Sequence, residues 1–274
     1  MPGPCREYLH HRGVDPPAVA CAVAQTADGT RKATSKSARV LALLGAFRPE
    51  EPEVTLTELC RRTDLPKPTG HRLLAELESQ AMVERTARGY RLGIRLFELG
   101  QLVPGQRDLQ ETAAPFLADL HRATGETVHL AVLDGAEVVY LQKLTTSGGP
   151  QIASRTGGRM PAHVTAVGKA LLAYGTASQV EVVLDAGLAR VAPRSIVLPA
   201  RLGAELARVR HSGVAEEHEE SGVGVACVAA PVLGADGRAI AGLSITGWSN
   251  RLNTERVAPA VRTAALALSR ALGG

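Results

Sequence analysis

The feature that most limits the fold lies in residues 35–93, where three short helical patterns precede two strand-like runs. The first helix is expected to be capped by Ser37 and to end before Pro49. The second begins near Thr55 or Thr57, and the third opens at Pro68, after a tight turn at 64–66. Three short helices in this order need a common core, so residues 35–93 are predicted to form one small domain.

Two short β-prone runs follow the third helix. Residues 82–85 and 90–92 are separated by a turn at 86–89, which predicts a β-hairpin. Helix, helix, turn, helix and hairpin within about 60 residues is the order of a winged helix-turn-helix. The hairpin would be the wing.

The start of the third helix carries the candidate DNA contacts Lys67, Thr69, Gly70, His71 and Arg72. In a helix-turn-helix these positions meet base edges in the major groove, where arginine can read guanine through two hydrogen bonds. Glycine costs about 1 kcal/mol relative to alanine inside a helix. We therefore expect Gly70 to let the helix approach the groove closely.

Basic residues around this helix outnumber the acids near them in sequence. The cations Arg61, Arg62, Lys67 and Arg72 have one acid between them, Asp64, and the basic residues of the wing have none before Glu98. Such segregation predicts a surface that follows phosphates, although exposed basic residues can also simply stay hydrated. The predicted DNA-binding residues are Thr57, Lys67, Thr69, Gly70, His71, Arg72, Arg85, Arg88 and Arg91. The net charge of +4 permits a nucleic-acid partner without requiring one.

A short apolar pattern follows the hairpin. Leu92, Leu96, Leu99 and Leu102 recur at helical spacing and are followed by Pro104. We predict a linker helix within residues 94–109 that pairs with a second copy of the chain. The alternative is a helix that packs on its own winged domain.

Residues 110–274 are predicted to form one larger domain. Helical patterns cover 112–123, 164–173, 178–185, 201–212 and 254–272. Strand patterns at 127–133 and 137–143, and at 225–233 and 239–246, are joined by short turns. Paired hairpins predict a mixed or antiparallel sheet, so the whole chain is expected to be α+β.

Other partners and cofactors are not indicated. Residues 1–34 have no clean period and are predicted to be a flexible tail without a signal peptide. The cysteines at 5, 21, 60 and 227 form no CxxC pair, so neither a metal site nor a disulfide framework is expected, and cytoplasmic location fits best. No apolar run could span a membrane, and no cofactor is predicted.

Three ordered motifs in the larger domain resemble those of the IclR-type regulators. They are residues 157–173 (GGRMPAHVTAVGKALLA), residues 213–220 running on to 224–231 (GVAEEHEE, GVACVAAP), and residues 242–247 (GLSITG). The resemblance extends from residue 35 to the C-terminus and includes the winged segment. On these motifs the chain is identified as a member of that family.

The resemblance implies a ligand-responsive, sequence-specific transcriptional regulator, most simply a repressor. It implies a C-terminal GAF-like domain, a homodimer or dimer of dimers on a double-stranded DNA operator, and a small-molecule effector such as an organic acid or aromatic carboxylate. The matched effector-binding positions are Met160, Ala166, Val167, Glu217, Val225, Cys227, Ser244 and Thr246. Glu217 stands where the family more typically has Asp, and its extra methylene would shrink or re-aim the pocket.

The residues themselves support part of this site. Ser244 and Thr246 are two apart on a strand and share a face, and a helix start near Thr165 offers unpaired N–H groups to an anion. The alternative is that both hydroxyls serve the backbone and that Cys227 is a small core residue. Residues 216–220 are expected to be a solvated loop or the entry to a strand.

Two other functions are alternatives to the regulator. An enzyme could use His163 as base and Cys227 as nucleophile, but no catalytic signature surrounds them, so we predict no enzyme and a structural His163. A non-specific architectural DNA binder with a vestigial sensor domain would show steep salt dependence with little sequence preference.

Overall fold

The computed structural model describes residues 35–150, 152 and 154–273. The predicted tail at 1–34 lies outside the described residues. The first domain contains α1 (Lys36–Gly45), α2 (Leu56–Thr63) and α3 (Lys67–Ser79), followed by β1 (Val83–Arg85) and β2 (Tyr90–Leu92). The strands pair antiparallel, with Glu84 opposite Arg91. The predicted order of a winged helix-turn-helix is therefore confirmed.

Capping side chains set where the first two helices begin. The Ser35 Oγ accepts a hydrogen bond from the Ala38 N–H at 3.1 Å, so Ser35 caps α1 and the prediction of Ser37 was wrong. Thr55 caps α2 by accepting from the Glu58 N–H at 3.2 Å. The helices and the hairpin share one apolar core, formed by Leu43, Val54, Leu59, Leu73, Leu74, Leu77, Val83 and Tyr90.

The linker is less helical than its leucine spacing predicts. Between residues 93 and 105 only α4 (Arg95–Gly100) is helical. Its Leu96 is half-buried, whereas its Phe97 is 62% exposed and Leu102, after the helix, is 74% exposed. The next helix, α5 (Gln106–Thr124), begins six residues before the predicted residue 112. Its start is set by Gly105, whose left-handed φ of +72° reverses the chain. The expected boundary at 109/110 falls inside α5.

The larger domain is built on a six-stranded antiparallel sheet in the order β5-β4-β3-β8-β7-β6. The predicted hairpins are confirmed as β3 (Thr127–Asp134) with β4 (Glu137–Leu144), and β7 (Val225–Leu233) with β8 (Ala239–Trp248). The edge strands β5 (Arg159–Pro161) and β6 (Ala215–His218) were not predicted. Residues 216–220 are thus partly strand, not a wholly solvated loop.

Helices cover both faces of this sheet. One face packs against α5 and α9 (Thr254–Ala271) around a core that includes Leu117, Val228 and Val261. The other packs against a 3-10 turn (Ala162–Val164), α6 (Ala166–Ala173), α7 (Ala177–Asp185) and α8 (Pro199–Ser212). A Cβ at Gly242 would lie 2.6 Å from the Val167 Cγ2, so glycine lets α6 lie close on β8. The site described below lies under the start of α6.

Within residues 35–273, as far as they are described, no helix has the length and apolar character needed to cross a bilayer.

Candidate functional site

The outer face of α3 carries three exposed cationic or titratable side chains. Lys67 and His71 lie one helical turn apart, with Arg72 beside them, and none makes a hydrogen bond or ion pair with the described residues. Thr69 is half-buried, and Thr57 is exposed in the first turn of α2. The predicted DNA-binding residues at the start of α3, Gly70 apart, are therefore accessible to a ligand, and so is Thr57.

Gly70 does not lie on that outer face. It is buried against α2, where an added Cβ would lie 2.4 Å from the Cys60 Sγ. Glycine is therefore needed for the close crossing of the two helices, and its predicted role in approaching the groove was wrong. The prediction that Gly70 permits a close approach is correct, but the atom approached belongs to Cys60 of α2 and not to DNA.

The basic excess around α3 is smaller than the sequence suggests. Glu58 accepts hydrogen bonds from both Arg61 and Arg62, which lower its pKa to about 2. Arg62, only 8% exposed, also pairs with Glu51 of the preceding loop. The expectation that Asp64 alone balances these arginines was wrong, because the balancing acids come from the start of α2 and from the loop before it.

The wing divides its arginines between structure and surface. The Arg91 side chain pairs with Glu84 directly across the hairpin, at 2.6 Å. Arg85 and Arg88 are exposed and their guanidinium groups have no partner among the described residues. The Thr86 hydroxyl accepts hydrogen bonds from the N–H groups of Arg88 and Gly89, which shapes the tip. The free positive charge of this domain therefore includes Lys67, Arg72, Arg85 and Arg88.

A second site lies in the larger domain, where seven of the eight predicted effector positions line one cavity. Ala166 alone has a side chain outside the lining. Sequence reasoning found Met160, Val167, Glu217, Val225, Cys227, Ser244 and Thr246, and it missed His129, Tyr140, Ile152, Ser154 and Ser221 as lining residues. Thr165, predicted only as a helix start, lines the cavity as well.

Strand register explains why these residues meet. Glu217 of β6 is opposite Cys227 of β7, which is opposite Thr246 of β8. One row along, Ser244 is opposite His129 of β3. Residues two apart on a strand share a face, so both rows point toward α6. His129 could have been proposed from the alternation in β3, but its pairing with β8 is not visible in local sequence.

The start of α6 supplies donors to the same region. The Thr165 Oγ1 accepts a hydrogen bond from the Gly168 N–H at 3.0 Å and so caps the helix. The N–H groups of Ala166 and Val167 make no hydrogen bond with the described residues. Although the Ala166 side chain lies outside the cavity lining, its N–H belongs to the unpaired first turn. A helix start with two free donors favours an anion.

Among the titratable groups of the cavity, Glu217 is the one whose pKa lies near neutral pH. Burial raises its pKa to about 7, against hydrogen bonds to Oε1 from the N–H and hydroxyl of Ser221 that lower it. Its Oε2 makes no hydrogen bond with the described residues. A protonated Glu217 could therefore donate a hydrogen bond to a bound anion.

The other polar groups of the cavity are neutral at physiological pH. Burial lowers the pKa of His129 to about 3 and raises that of Cys227 to about 12. His129 contacts the hydroxyls of Ser154 at 2.9 Å and Ser244 at 3.4 Å, and Thr246 donates to the Cys227 Sγ at 3.2 Å. The Cys227 thiol is thus protonated and is not an activated nucleophile.

His163 lies outside this cavity. Its Nε2 is 3.0 Å from the backbone carbonyl of Ala189, and burial lowers its pKa. This is the structural role predicted for it, and His163 is therefore not positioned to act as a base for Cys227.

Family comparisons match both domains of the chain. Residues 38–87 match the model described as the IclR helix-turn-helix domain, and residues 101–270 match the bacterial transcriptional regulator IclR C-terminal model. The chain belongs to the IclR family of transcriptional regulators. It is 35% identical over 241 residues to the HTH-type transcriptional regulator XynR of Escherichia coli, covering 86% of this chain and 96% of that one. It is 31% identical to the transcriptional repressor IclR of E. coli, covering 80% and 82%.

A solved structure also extends the likeness to a ligand complex. An IclR homologue from Microbacterium hydrocarbonoxydans complexed with 4-hydroxybenzoate superposes with a TM-score of 0.81 at 29% identity, covering 87% of this chain and 99% of that one. The protein is thus a DNA-binding transcriptional regulator with an effector-binding domain, not an enzyme. These relatives give no support to the architectural alternative.

The cavity of this IclR-family regulator is small. It leaves about 20 Å³ for the centres of water molecules, enough for about one water. An organic acid is several times larger, so the cavity is closed in this structure. An effector of that size therefore needs a larger cavity than this structure shows.

Proposed function

We propose that the protein is a repressor whose affinity for a near-palindromic operator is changed by a small organic acid, most simply an aromatic carboxylate. The observation that carries the effector class is the combination of the free N–H groups at the start of α6 with the Ser244 and Thr246 hydroxyls and a protonatable Glu217. The repressor name of E. coli IclR and the 4-hydroxybenzoate bound by the Microbacterium homologue support the two halves of the proposal.

The lining suits a carboxylate attached to an apolar body. The carboxylate would accept hydrogen bonds from the Ala166 and Val167 N–H groups, from Ser244 and from the protonated Glu217. Met160, Tyr140 and Val225 would surround the rest of the molecule. Among the described residues no permanent cation lines the cavity, so an anion would rely on helix donors and on neutralisation of Glu217.

Closure of the cavity provides a route from binding to regulation. An effector can shift an equilibrium only by binding two conformations with different affinity. Because the closed cavity holds about one water, an effector binds an expanded conformation better. Expansion would displace α6 against the sheet, and we propose that the linker around α4 passes the displacement to the winged domains.

The DNA complex would be symmetric. In a dimer the two α3 helices would enter major grooves about 34 Å apart, with Lys67, Thr69, His71 and Arg72 at base edges and phosphates, and Thr57 on the backbone. Arg85 and Arg88 would contact the flanking backbone or minor groove, while Arg91 would act by fixing the wing. The cytoplasm, where DNA and reduced thiols coexist, is the proposed place of action.

The linker is the proposed dimer contact. Ile94, Phe97, Leu99, Leu102 and Val103 are exposed within ten residues. So many exposed apolar side chains in so short a segment are typical of a protein interface. We propose a homodimer through this segment, and a dimer of dimers on DNA.

Thermal melting against matched small molecules tests the effector class. Benzoate and 4-hydroxybenzoate are compared with benzamide and phenol, which keep the ring and remove the negative charge. A native-state ligand at about 100 times its Kd adds about 2.7 kcal/mol of stability. We expect a shift with a carboxylate that its uncharged analogue lacks, reduced in the Ser244→Ala/Thr246→Val double variant. Equal shifts with acid and amide would contradict the carboxylate assignment.

A further inference from the structure

A second, larger cavity lies outside the effector cavity. It has a volume of about 690 Å³ and lies between the connection from α7 to α8, the start of α8 and the segment after β6. Its charged and titratable lining residues are Arg190, Arg194, Arg201, Glu205, His218 and Glu220. None of its lining residues lines the effector cavity. The regulator described above makes no use of it.

The acids of this cavity are already neutralised. The Lys169 ammonium, fully buried beneath the cavity floor, lies 2.7 Å from the Glu220 Oε1 and 3.4 Å from the Glu205 Oε1. Arg208 adds a second cation to Glu205 at 2.8 Å. Lys169 and Arg208 therefore balance the charges of Glu220 and Glu205, and the arginines that line the cavity add further positive charge.

The arginines of the cavity keep most of their donors. Arg201 makes no hydrogen bond or ion pair with the described residues, and Arg190 donates only to the Pro193 carbonyl at 2.8 Å. Arg194 lies 3.6 Å from Glu219, a loose and exposed pair. The cavity is therefore positive, and free guanidinium groups bind carboxylate or phosphate oxygens well.

One carboxylate oxygen of Glu220, which lines the cavity, lacks a hydrogen-bond donor among the described residues. The Glu220 side chain is 13% exposed, and its Oε2 is buried without a hydrogen-bond partner among the described residues. A buried acceptor without a partner is costly. Because this oxygen is shielded from solvent, a ligand hydroxyl would reach it once the Glu220 carboxylate turns toward the cavity.

We propose that this cavity is a second ligand site for a small anion that also carries hydroxyl groups. The anionic head, a carboxylate or a phosphate, would bind the arginines, and a hydroxyl would donate to Glu220. This goes beyond the proposed function, because it adds a second effector of different chemistry to the same domain.

One short segment forms a wall of both cavities. Glu217 and Ser221 line the effector cavity, whereas His218 and Glu220 line the second. The Ser195 hydroxyl, also in the second cavity, donates to the Glu220 carbonyl at 2.7 Å and ties the wall to the α7–α8 connection. A ligand that orders this connection therefore acts directly on the residues around Glu217.

Isothermal titration calorimetry of the full-length protein tests the site. The probes are D-gluconate and D-glucose 6-phosphate, with D-glucitol as hydroxyls without charge and hexanoate as charge without hydroxyls, all at constant ionic strength. We expect saturable binding of one molecule per chain for a hydroxylated anion and none for either control. The comparison of gluconate with the phosphate ester assigns the anionic head.

Variants locate the binding. Arg201→Gln, which breaks no contact in the structure, should lower the affinity for the probe about tenfold or more. Arg256→Gln, an exposed arginine of α9 outside both cavities, should leave it unchanged, as should Ser244→Ala in the effector cavity. Absence of saturable binding by both hydroxylated anions would overturn the proposal, and so would equal loss in Arg256→Gln. Loss in Ser244→Ala alone would place the probe in the effector cavity and also refute the second site.

Discussion

The Oε1 of Glu217 accepts hydrogen bonds from both the backbone N–H and the hydroxyl of Ser221, four residues further along. Such bonds favour the charged carboxylate, yet Glu217 is only 2% exposed, and burial outweighs them and raises its pKa to about 7. The cavity therefore contains a carboxyl group that changes charge near physiological pH. Both folding stability and effector binding should depend on pH through this group.

Glu217 is expected to lower stability as pH rises. The folded state holds its proton up to about pH 7, whereas an exposed glutamate releases it near 4.5. The folded state therefore binds more protons between these values, so the free energy of unfolding falls as pH rises through this window. The full penalty, about 3 kcal/mol, applies above pH 7.

Urea unfolding between pH 5 and 8 measures this effect. Glu217→Gln keeps an acceptor for Ser221 and removes the charge, so it should be more stable than the parent protein at pH 8 and should show a flatter profile. Glu216→Gln, on the neighbouring and more exposed carboxylate, is the matched control and should keep the parent slope. Parallel profiles for the parent protein and Glu217→Gln would show that Glu217 is not the group responsible.

A carboxylate effector should bring a proton with it. At pH 7.5 Glu217 is mostly ionised, and a second negative charge in the same buried cavity favours its protonated form. Calorimetric titration of an effector identified by melting, in phosphate and in Tris, should give different apparent enthalpies that report uptake of up to about one proton. In Glu217→Gln the two buffers should agree. Equal enthalpies for the parent protein in both buffers would exclude proton uptake.

Because α2 and α3 cross closely at Gly70, the effect of Gly70→Ala on stability should change sign when Cys60 is replaced by alanine. Gly70→Ala places a Cβ 2.4 Å from the Cys60 Sγ, and overpacking of this kind costs about 1–3 kcal/mol. In a Cys60→Ala background the clash is gone, and the same substitution gains up to about 1 kcal/mol from helix propensity. Hydrogen exchange of α2 and α3 amides measures both. A substitution that is destabilising by the same amount in both backgrounds would disprove the contact.

The sequence predicts those elements whose formation depends on nearby residues, and it does not predict those that depend on pairing with distant segments. The elements β7, β8 and α9 could be predicted from sequence because each has a long apolar pattern that buries a continuous face. The strands β5 and β6 are three and four residues long, and they exist because neighbouring strands pair with them. Alternation along a single strand placed Ser244 and Thr246 on one face, whereas the strand pairing that brings His129 to them could not be predicted from local sequence. Pairing between distant segments set their positions, and it also buried Glu217.

The exposed linker should hold the dimer together. Leu102→Asp places a charge on a side chain that is 74% exposed in the single chain, so the substitution should cost the monomer little. If the segment pairs with a second copy, the charge becomes buried and the dimer should dissociate. Light scattering after size-exclusion chromatography measures the mass, with Leu198→Asp, at another exposed leucine, as the control. An unchanged dimer in Leu102→Asp would place the interface elsewhere.

The division of arginines into paired and free should decide their effect on DNA. Arg72 has no partner among the described residues, whereas the Arg61 guanidinium is already held by Glu58. With an operator selected from a random library, Arg72→Ala should cost about 1–3 kcal/mol on the operator and relax its preference at one base pair. With Arg88 on the flanking backbone, Arg88→Ala should weaken operator and random DNA alike and reduce the dependence on salt, because a phosphate contact carries no sequence information. With Arg88 in the minor groove, the loss should be larger on the operator. Arg61→Ala should change neither property strongly. If all three variants lost the same affinity on both DNAs, binding would rest on net charge alone, and the assignment of α3 as the reading helix would fail.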